Sequence, residues 1–142
     1  MSYQRIVLGY DESPAAKRAL ERAGQMAKAL GSELIVTSVA PVLANIGRSV
    51  GPGDPADPPE AHIEELHHAR SYLEGEGIQA DYVPAMGHPA PTIAELARER
   101  NADLIVLGTH EPSLLGRLFG QSVTDAVAHK VHCDVLIVHP ED

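Results

Sequence analysis

The sequence has few cysteines and few aromatic residues, the residue types that help to stabilise a protein with a small core. It has a single cysteine, so no disulfide can form within the chain. It has no tryptophan, four tyrosines and one phenylalanine, while 44% of its 142 residues are hydrophobic. The core must therefore be aliphatic. A chain of this length buries enough apolar surface to fold as a single domain, which we place at residues 1–142.

Basic residues and long apolar runs are also scarce. The sequence has 11 lysines and arginines against 20 aspartates and glutamates, which gives a formal net charge of −9. It therefore lacks the broad basic field that binds nucleic acid or an anionic membrane. No run approaches the roughly 18 apolar residues of a membrane helix, and no secretory signal pattern is present. We expect a soluble, cytoplasmic protein without a nucleic-acid or membrane partner.

Several catalytic and metal-binding motifs are missing as well. The sequence contains no Gly-Lys-Ser/Thr phosphate loop and no CxxC or HExxH metal motif. The stretch from His62 to His68 can bring Glu64 to the same side of a helix as His67 and His68. Zinc, however, usually takes three or four converging ligands. A polar helix face explains this stretch better, and we expect neither a metal site nor a linked catalytic set.

The sequence does contain a strict alternation of strand and helix patterns. Short apolar runs predict five strands, at Arg5–Gly9, Glu33–Val39, Ile78–Pro84, Asp103–Gly108 and Cys133–Val138. Amphipathic segments between them predict four helices, which begin near Ser13, after Pro59, near Pro89 and near Ser122. Residues 40–59 are rich in proline and glycine and predict a flexible loop within the domain. The alternation predicts an α/β fold with a doubly wound parallel sheet.

Ligands of such sheets bind at the carboxyl ends of the strands, where the strand order reverses. Two polar or glycine-rich turns follow strands here, at residues 9–13 and 108–122. If the first and fourth strands are neighbours, these turns face each other across one crevice. A turn of this kind can direct backbone N–H groups at a phosphate. The sequence therefore predicts a ligand site between the two turns.

Five segments occur in an order and at spacings typical of one family. They are Ile6–Pro14, Gly87–Ala90, Ala102–His110, Ser122–Val123 and Cys133–His139. Through them the chain resembles the universal stress proteins over nearly its whole length. The resemblance implies a Rossmann-like, open five-stranded sheet in the order 3-2-1-4-5 with four helices. It also implies a stress-response sensor or adapter that binds ATP or AMP, with or without Mg²⁺.

The resemblance implies a phosphate-binding role for the second turn. Nucleotide-binding members have a GxxG, nine further residues and then Gly-Ser or Gly-Thr. The residues that match this pattern or lie next to it are Gly108, Gly120, Ser122 and Val123. Glu111 occupies the second glycine position, and Gln121 occupies the position before the serine. A side chain where the backbone must be left-handed costs about 1 kcal/mol, and the Glu111 carboxylate repels a polyphosphate unless it turns outward or shares a cation.

Further site residues follow from the same resemblance. Asp11 would accept hydrogen bonds from the ribose or contact the adenine, and the main chain of Val39 would meet the adenine edge. The alternative for Asp11 is a cap of the first helix, and for Val39 it is simple core packing. The remaining residues of the candidate site are Gly9, Tyr10 and Thr109. Arg117 is interpreted as a solvated side chain rather than a phosphate ligand.

Two alternatives to nucleotide sensing stay open at this point. One is a nucleotide-free interaction module that acts through dimerisation and an unidentified protein partner, and the other is a slow ATPase. The last strand is apolar, closes the chain and is expected at a sheet edge, where it would pair with a second copy. The residues expected in this homodimer contact are Val135, Leu136, Ile137 and Val138.

Overall fold

The computed structural model describes residues 3–40, 59–109, 131 and 133–140. The described strands are β1 (Arg5–Gly9), β2 (Glu33–Ala40), β3 (Asp81–Met86), β4 (Leu104–Gly108) and β5 (Asp134–Val138). The described helices are α1 (Pro14–Leu30), α2 (Pro59–Gly75) and α3 (Pro89–Glu99). The expected fourth helix and most of the expected 40–59 loop lie outside the described residues.

All five strands pair in parallel in one sheet, in the order β3-β2-β1-β4-β5. β1 and β4 are neighbours, with Leu8 opposite Val106. From β1 the chain adds β2 and then β3 on one side of the sheet. It then crosses to the other side of β1, where it adds β4 and β5. The direction in which strands are added therefore reverses between β1 and β4. The doubly wound sheet and its predicted order are confirmed.

The two faces of the sheet carry separate aliphatic cores. On one face α1 and α2 pack on side chains such as Leu8, Val36 and Val106, all of which are fully buried. On the other face α3 packs on Val7, Ile35 and Ile105. Alternate residues of each central strand face opposite cores, so these strands are apolar on both sides.

The helix ends follow the turn chemistry expected from the sequence. Ser13 caps α1, since its hydroxyl accepts the Ala16 amide at 3.1 Å, and Pro14 takes the first helical position. Each of the three described helices is followed by a left-handed residue and a backbone hydrogen bond that spans the end of the helix. The left-handed residues are Gly31, Gly77 and Asn101, and the spanning bonds are Ser32–Ala27, Ile78–Leu73 and Ala102–Ala97.

The ending of α2 corrects the predicted start of β3. Ile78 was expected to begin the strand, but its amide donates to the Leu73 carbonyl at 2.8 Å and its side chain is buried. It therefore belongs to the motif that ends the helix, and β3 begins at Asp81. Two residues expected to face inward, Leu30 and Ile63, are 40% and 43% exposed because they lie at the borders of their helical stripes.

Asp103 joins the amino ends of β1 and β4. Its carboxylate accepts the backbone amides of Gln4 at 2.9 Å and Arg5 at 3.0 Å. Burial opposes ionisation of this carboxylate, but the two amides and the charge of Arg5 outweigh that effect and hold the pKa of Asp103 below its usual value. The ionised form is therefore the one that stabilises the fold.

We expect Asp103→Asn to lower the free energy of unfolding at pH 7 by up to about 1 kcal/mol, because the site is partly exposed. A lowered pKa gives stability that is present above the unfolded-state pKa and lost as pH falls through the folded-state pKa. The difference between wild type and variant should be full above about pH 5 and shrink as the pH falls below about 4. Urea unfolding at pH 7 and pH 3 measures it. A difference that is the same at both pH values would contradict this assignment.

None of the helices within the described residues is both long and apolar enough to cross a membrane.

Candidate functional site

The crevice predicted between the first and fourth strands is bordered by two glycines with packing roles. A Cβ on Gly108 would lie 2.6 Å from the backbone carbonyl carbon of Ala15 and from the amide nitrogen of Ala16. A Cβ on Gly9 would meet only side chains, at 2.8 Å from Leu107 and 3.1 Å from Ile93. Gly108 therefore lets the start of α1 rest directly on the end of β4, a requirement that exists without any phosphate.

Tyr10 follows β1, and its side chain belongs to the core. It is 5% exposed, and its amide donates to the Thr37 carbonyl at 2.9 Å. Burial raises the pKa of Tyr10 to about 12, and the nearby carboxylates of Glu12, Glu65 and Asp11 add to the shift. The phenol stays protonated at all physiological pH values. Tyr10 therefore supports the turn from within the core, and its side chain is not an exposed ligand contact.

Asp11 lies in the turn between β1 and α1, at the predicted place. Its Oδ1 accepts the Ser13 amide at 3.0 Å, which shapes the entry to the helix. The helix-entry role offered as the alternative for Asp11 is therefore real. A carboxylate can accept several hydrogen bonds, so this role does not preclude contact with a ligand hydroxyl.

Glu12 has an unusual backbone conformation and a side-chain partner on α2. Its φ is 61°, a left-handed value that costs a non-glycine residue about 1 kcal/mol. Its Oε1 contacts Nδ1 of His68. No local sequence pattern pairs these residues, since they are 56 positions apart.

Val39 presents its main chain to the crevice. The last residue of β1, Gly9, pairs with Thr37, so β2 runs past β1 by the three residues from Ser38 to Ala40. The Thr37 carbonyl points toward β1, where it accepts the Tyr10 amide. Main-chain groups two residues apart in a strand point the same way. The N–H and C=O of Val39 therefore point to the side where β1 has already ended.

The side chain of Val39 packs against the α3-facing core, as its alternative interpretation expected. Thr109, just beyond β4, donates its amide to the Val138 carbonyl at 2.9 Å and so joins the start of the second turn to β5. The structure thus brings Gly9, Asp11, Val39 and Gly108 to the same edge of the sheet. The other residues proposed for the phosphate turn lie outside the described residues: Glu111, Gly120, Gln121, Ser122 and Val123. Arg117 also lies there.

A buried polar cluster lies beside this edge, between β2 and α2. Ser38 Oγ donates to Glu65 Oε1 at 2.7 Å, and His62 Nδ1 lies 2.8 Å from both of these oxygens. The His62 and Glu65 side chains are only 12% and 17% exposed. Sequence reasoning missed this cluster. Two signals could have indicated it: a serine inside an apolar strand, and a histidine and glutamate spaced i, i+3 on one helix.

The cluster has the residue types of a hydrolase triad but different connections. In a triad the serine and the carboxylate bond to opposite ring nitrogens of the histidine. Here both contact Nδ1, and Ser38 is 1% exposed. The His62 Nε2 atom is buried and has no hydrogen-bond partner among the described residues. The cluster therefore fastens α2 to β2 and cannot relay a proton to an attacking serine.

The metal interpretation of the histidine-rich stretch finds no geometric support. The part of the chain that the structure describes contains no group of three or more histidine, cysteine or acidic side chains placed to hold a metal ion. Glu64 and His67 are exposed on α2, while His68 contacts Glu12. Burial, with help from Asp134 and Asp103, raises the pKa of the Cys133 thiol, which disfavours the reactive thiolate.

Comparisons with known proteins agree with this fold. A family model described as the Universal stress protein family matches residues 2–139. The universal stress protein Rv1636 of Mycobacterium tuberculosis is 32% identical over 149 aligned positions, which cover 97% of this chain and 97% of that protein.

Two solved structures of similar proteins contain nucleotides. A universal stress protein in complex with cAMP is 32% identical, with a TM-score of 0.75, and the match covers 99% of this chain and 100% of that one. The universal stress protein from Archaeoglobus fulgidus in complex with dAMP is 26% identical, with a TM-score of 0.67, and the match covers 97% of this chain and 99% of that one.

Proposed function

The chain belongs to the universal stress protein family, and from that premise we propose that it is a stress-response protein that binds an adenine nucleotide between β1 and β4. The observation that carries the proposal is the pair of main-chain groups that Val39 directs into the crevice beyond the end of β1. An N–H and a C=O side by side can bond the acceptor and donor atoms on the edge of a base. The cAMP and dAMP complexes of similar proteins supply the ligand class.

Asp11 completes the nucleoside part of the proposed site. It lies at the carboxyl edge, one turn from Gly9, and its carboxylate can bond ribose hydroxyls. Gly108 and Thr109 lead into the proposed phosphate turn, in which Glu111 and Gln121 replace two family glycines. ATP or AMP, with Mg²⁺ where a polyphosphate is bound, remain the proposed ligands. We place the protein in the cytoplasm, in keeping with its single cysteine.

The test is direct identification of the ligand. We expect denaturation of the purified protein to release an adenine nucleotide, or added ATP, AMP or cAMP to bind and raise the melting temperature. Asp11→Asn keeps an oxygen that accepts the Ser13 amide but removes the charge. It should therefore fold normally and bind about tenfold more weakly. Asp103→Asn, at the opposite edge of the sheet, is the matched control and should bind as wild type does.

Recovery of no nucleotide, together with no thermal shift at millimolar ATP and Mg²⁺, would reject the proposal. It would favour a nucleotide-free interaction module that acts through a protein partner. That second candidate also has an observation in its favour, because β5 lies at the edge of the sheet and Ile137 is 38% exposed.

We propose that β5 pairs with β5 of a second copy, through Val135–Val138, to form a homodimer. A charged residue in such an edge strand would oppose this pairing. The protein should therefore have a dimer mass in solution at micromolar concentration, and Ile137→Lys should have a monomer mass. A monomer mass for the wild type would contradict the proposed pairing.

A further inference from the structure

The two outer strands of the sheet differ in what their main chains offer to another strand. β3 and β5 lie at opposite ends of the described sheet, so each has one side that no other described strand pairs with. Unpaired N–H and C=O groups along such a side can add a strand from a second copy. Which edge can accept another strand therefore depends on the residues that face outward there.

The direction of the β3 main chain is fixed by its bonds to β2. The Gly87 amide, just past β3, donates to the Ala40 carbonyl at 3.0 Å, so Gly87 faces β2. Main-chain groups two residues apart in a strand point the same way, so those of Ala85 and Val83 face β2 as well. The residues that alternate with them have main-chain groups that face away from the sheet: Tyr82, Pro84 and Met86.

Pro84 occupies the centre of this outward-facing set. It is exposed, and it is the one proline inside any described strand. Because its nitrogen faces outward, it costs the pairing of β3 with β2 no hydrogen bond. On the outer side, however, it leaves a gap in the row of donors. The N–H groups of Tyr82 and Met86 lie four residues apart, about 13 Å, where an uninterrupted strand has a donor about every 6.6 Å.

The outer side of β5 has no such gap. The Val138 carbonyl accepts the Thr109 amide at 2.9 Å, so Val138 faces β4, while Val135 and Ile137 face outward. Each of these two residues has both an N–H and a C=O, at the regular spacing of two residues. The side chain of Ile137 is also exposed. The main chain of β5 can therefore pair with another strand along its length.

Charge does not explain why β3 would differ from β5. Asp81 begins β3, and a charged residue on an edge strand can repel a second strand. Its carboxylate, however, accepts Nη1 of Arg100 at 3.0 Å, so its charge is matched by one of opposite sign. The missing N–H of Pro84 is therefore the feature that most hinders the addition of a strand to β3.

We propose that Pro84 closes the β3 edge, so that the sheet extends into a second copy of this chain through β5 alone. An edge that pairs with its own copy is fully used within the pair. One open edge therefore ends sheet pairing at two subunits, whereas two open edges let the sheet grow from subunit to subunit. The number of subunits rests on the β5 pairing of the proposed function, but the closure of β3 does not.

Pro84→Thr tests this closure, because threonine restores the missing N–H, favours strands and adds no large apolar surface. We expect this variant to have at least twice the mass of the wild type at micromolar concentration. Met86→Thr is the matched control, since it places the same residue on the same edge without changing the donors, and it should keep the wild-type mass. Light scattering after size-exclusion chromatography measures the masses, and urea unfolding checks that both variants are folded.

The same comparison in the Ile137→Lys background separates this inference from the proposed homodimer. The β5 pairing is blocked there, so Ile137→Lys alone should be a monomer, and the double variant with Pro84→Thr should be a dimer. If the wild type is itself a monomer, the proposed β5 pairing fails, and Pro84→Thr alone should then be a dimer. If Pro84→Thr has the mass of its parent in both backgrounds, the proposal is overturned.

Hydrogen exchange of the wild type gives a second measurement that needs no variant. The Met86 amide faces outward and should exchange near the rate of an unstructured peptide, while the Ala85 amide faces β2 and should be protected. In Pro84→Thr the Met86 amide should become protected as the larger species forms. Strong protection of the Met86 amide in the wild type would show that the β3 edge is already paired, and it would reject the closure.

Discussion

Replacing Gly108 by alanine should lower the free energy of unfolding by about 3 kcal/mol, at the upper end of the range for overpacked cores. The added methyl group would lie 2.6 Å from backbone atoms of Ala15 and Ala16, and backbone cannot rotate away as a side chain can. The start of α1 would have to lift from the end of β4. Urea unfolding at pH 7 measures the loss, which for a chain of this size corresponds to a fall in melting temperature of about 10 °C.

Gly75→Ala is the matched control for this substitution. A Cβ on Gly75 meets no atom within 4 Å, and the residue lies in the last turn of α2. Alanine has the higher helix propensity, so this variant should be as stable as wild type or more so. Equal stability of Gly108→Ala and Gly75→Ala would show that α1 does not rest on β4 as described.

Replacing Glu65 by alanine should lower the free energy of unfolding by about 2 kcal/mol, because it removes the carboxylate that accepts the Ser38 hydroxyl and contacts His62 Nδ1. The hydroxyl of Ser38 and Nδ1 of His62 both lie within 2.8 Å of the Glu65 carboxylate. Burial prevents water from replacing this acceptor freely. Thermal and urea unfolding at pH 7 measure the change.

The exposed Glu64 provides the control for Glu65. Glu64→Ala makes the same chemical change one position earlier on α2 and should stay within about 0.5 kcal/mol of wild type. Glu65→Gln retains an acceptor oxygen and should recover part of the loss. If Glu65→Ala and Glu64→Ala unfold at the same urea concentration, the buried cluster contributes nothing measurable to stability.

Local chemistry explains why much of the fold could be predicted from the sequence. Neighbouring residues determine the strand β1, the cap Ser13 and the left-handed Gly31. These features can therefore be recognised from the sequence alone. Periodicity was less reliable at the borders of a helix face, where Leu30 and Ile63 proved exposed. It also misplaced Ile78, because an apolar residue after a helix can close the helix as well as begin a strand.

The candidate site was predictable in its location but not in its contacts. The carboxyl edge of β1 and β4 follows from the strand alternation, and Asp11 and Val39 from the family resemblance. The cluster around Ser38 joins residues 24 and 27 positions apart, and Glu12 meets His68 over 56 positions. Contacts between residues so far apart in the chain depend on where α2 packs on the sheet, and the sequence pattern does not specify that position. Gly108 was predicted for phosphate access, whereas the structure shows a contact with α1 that requires glycine independently.

The overhang of β2 beyond β1 has a consequence for base selectivity. The overhang consists of the three residues Ser38–Ala40, with Val39 in the middle. At a rise of about 3.3 Å per residue it is about 10 Å long. An adenine bound there, as proposed, would be recognised by peptide atoms, which are the same for every amino acid except proline. Adenine offers an amino donor at the ring position where guanine has a carbonyl acceptor, so a fixed C=O group distinguishes the two. Because these peptide atoms do not depend on the side chain, we expect Val39→Ile and Val39→Ala to keep the preference for adenine over guanine.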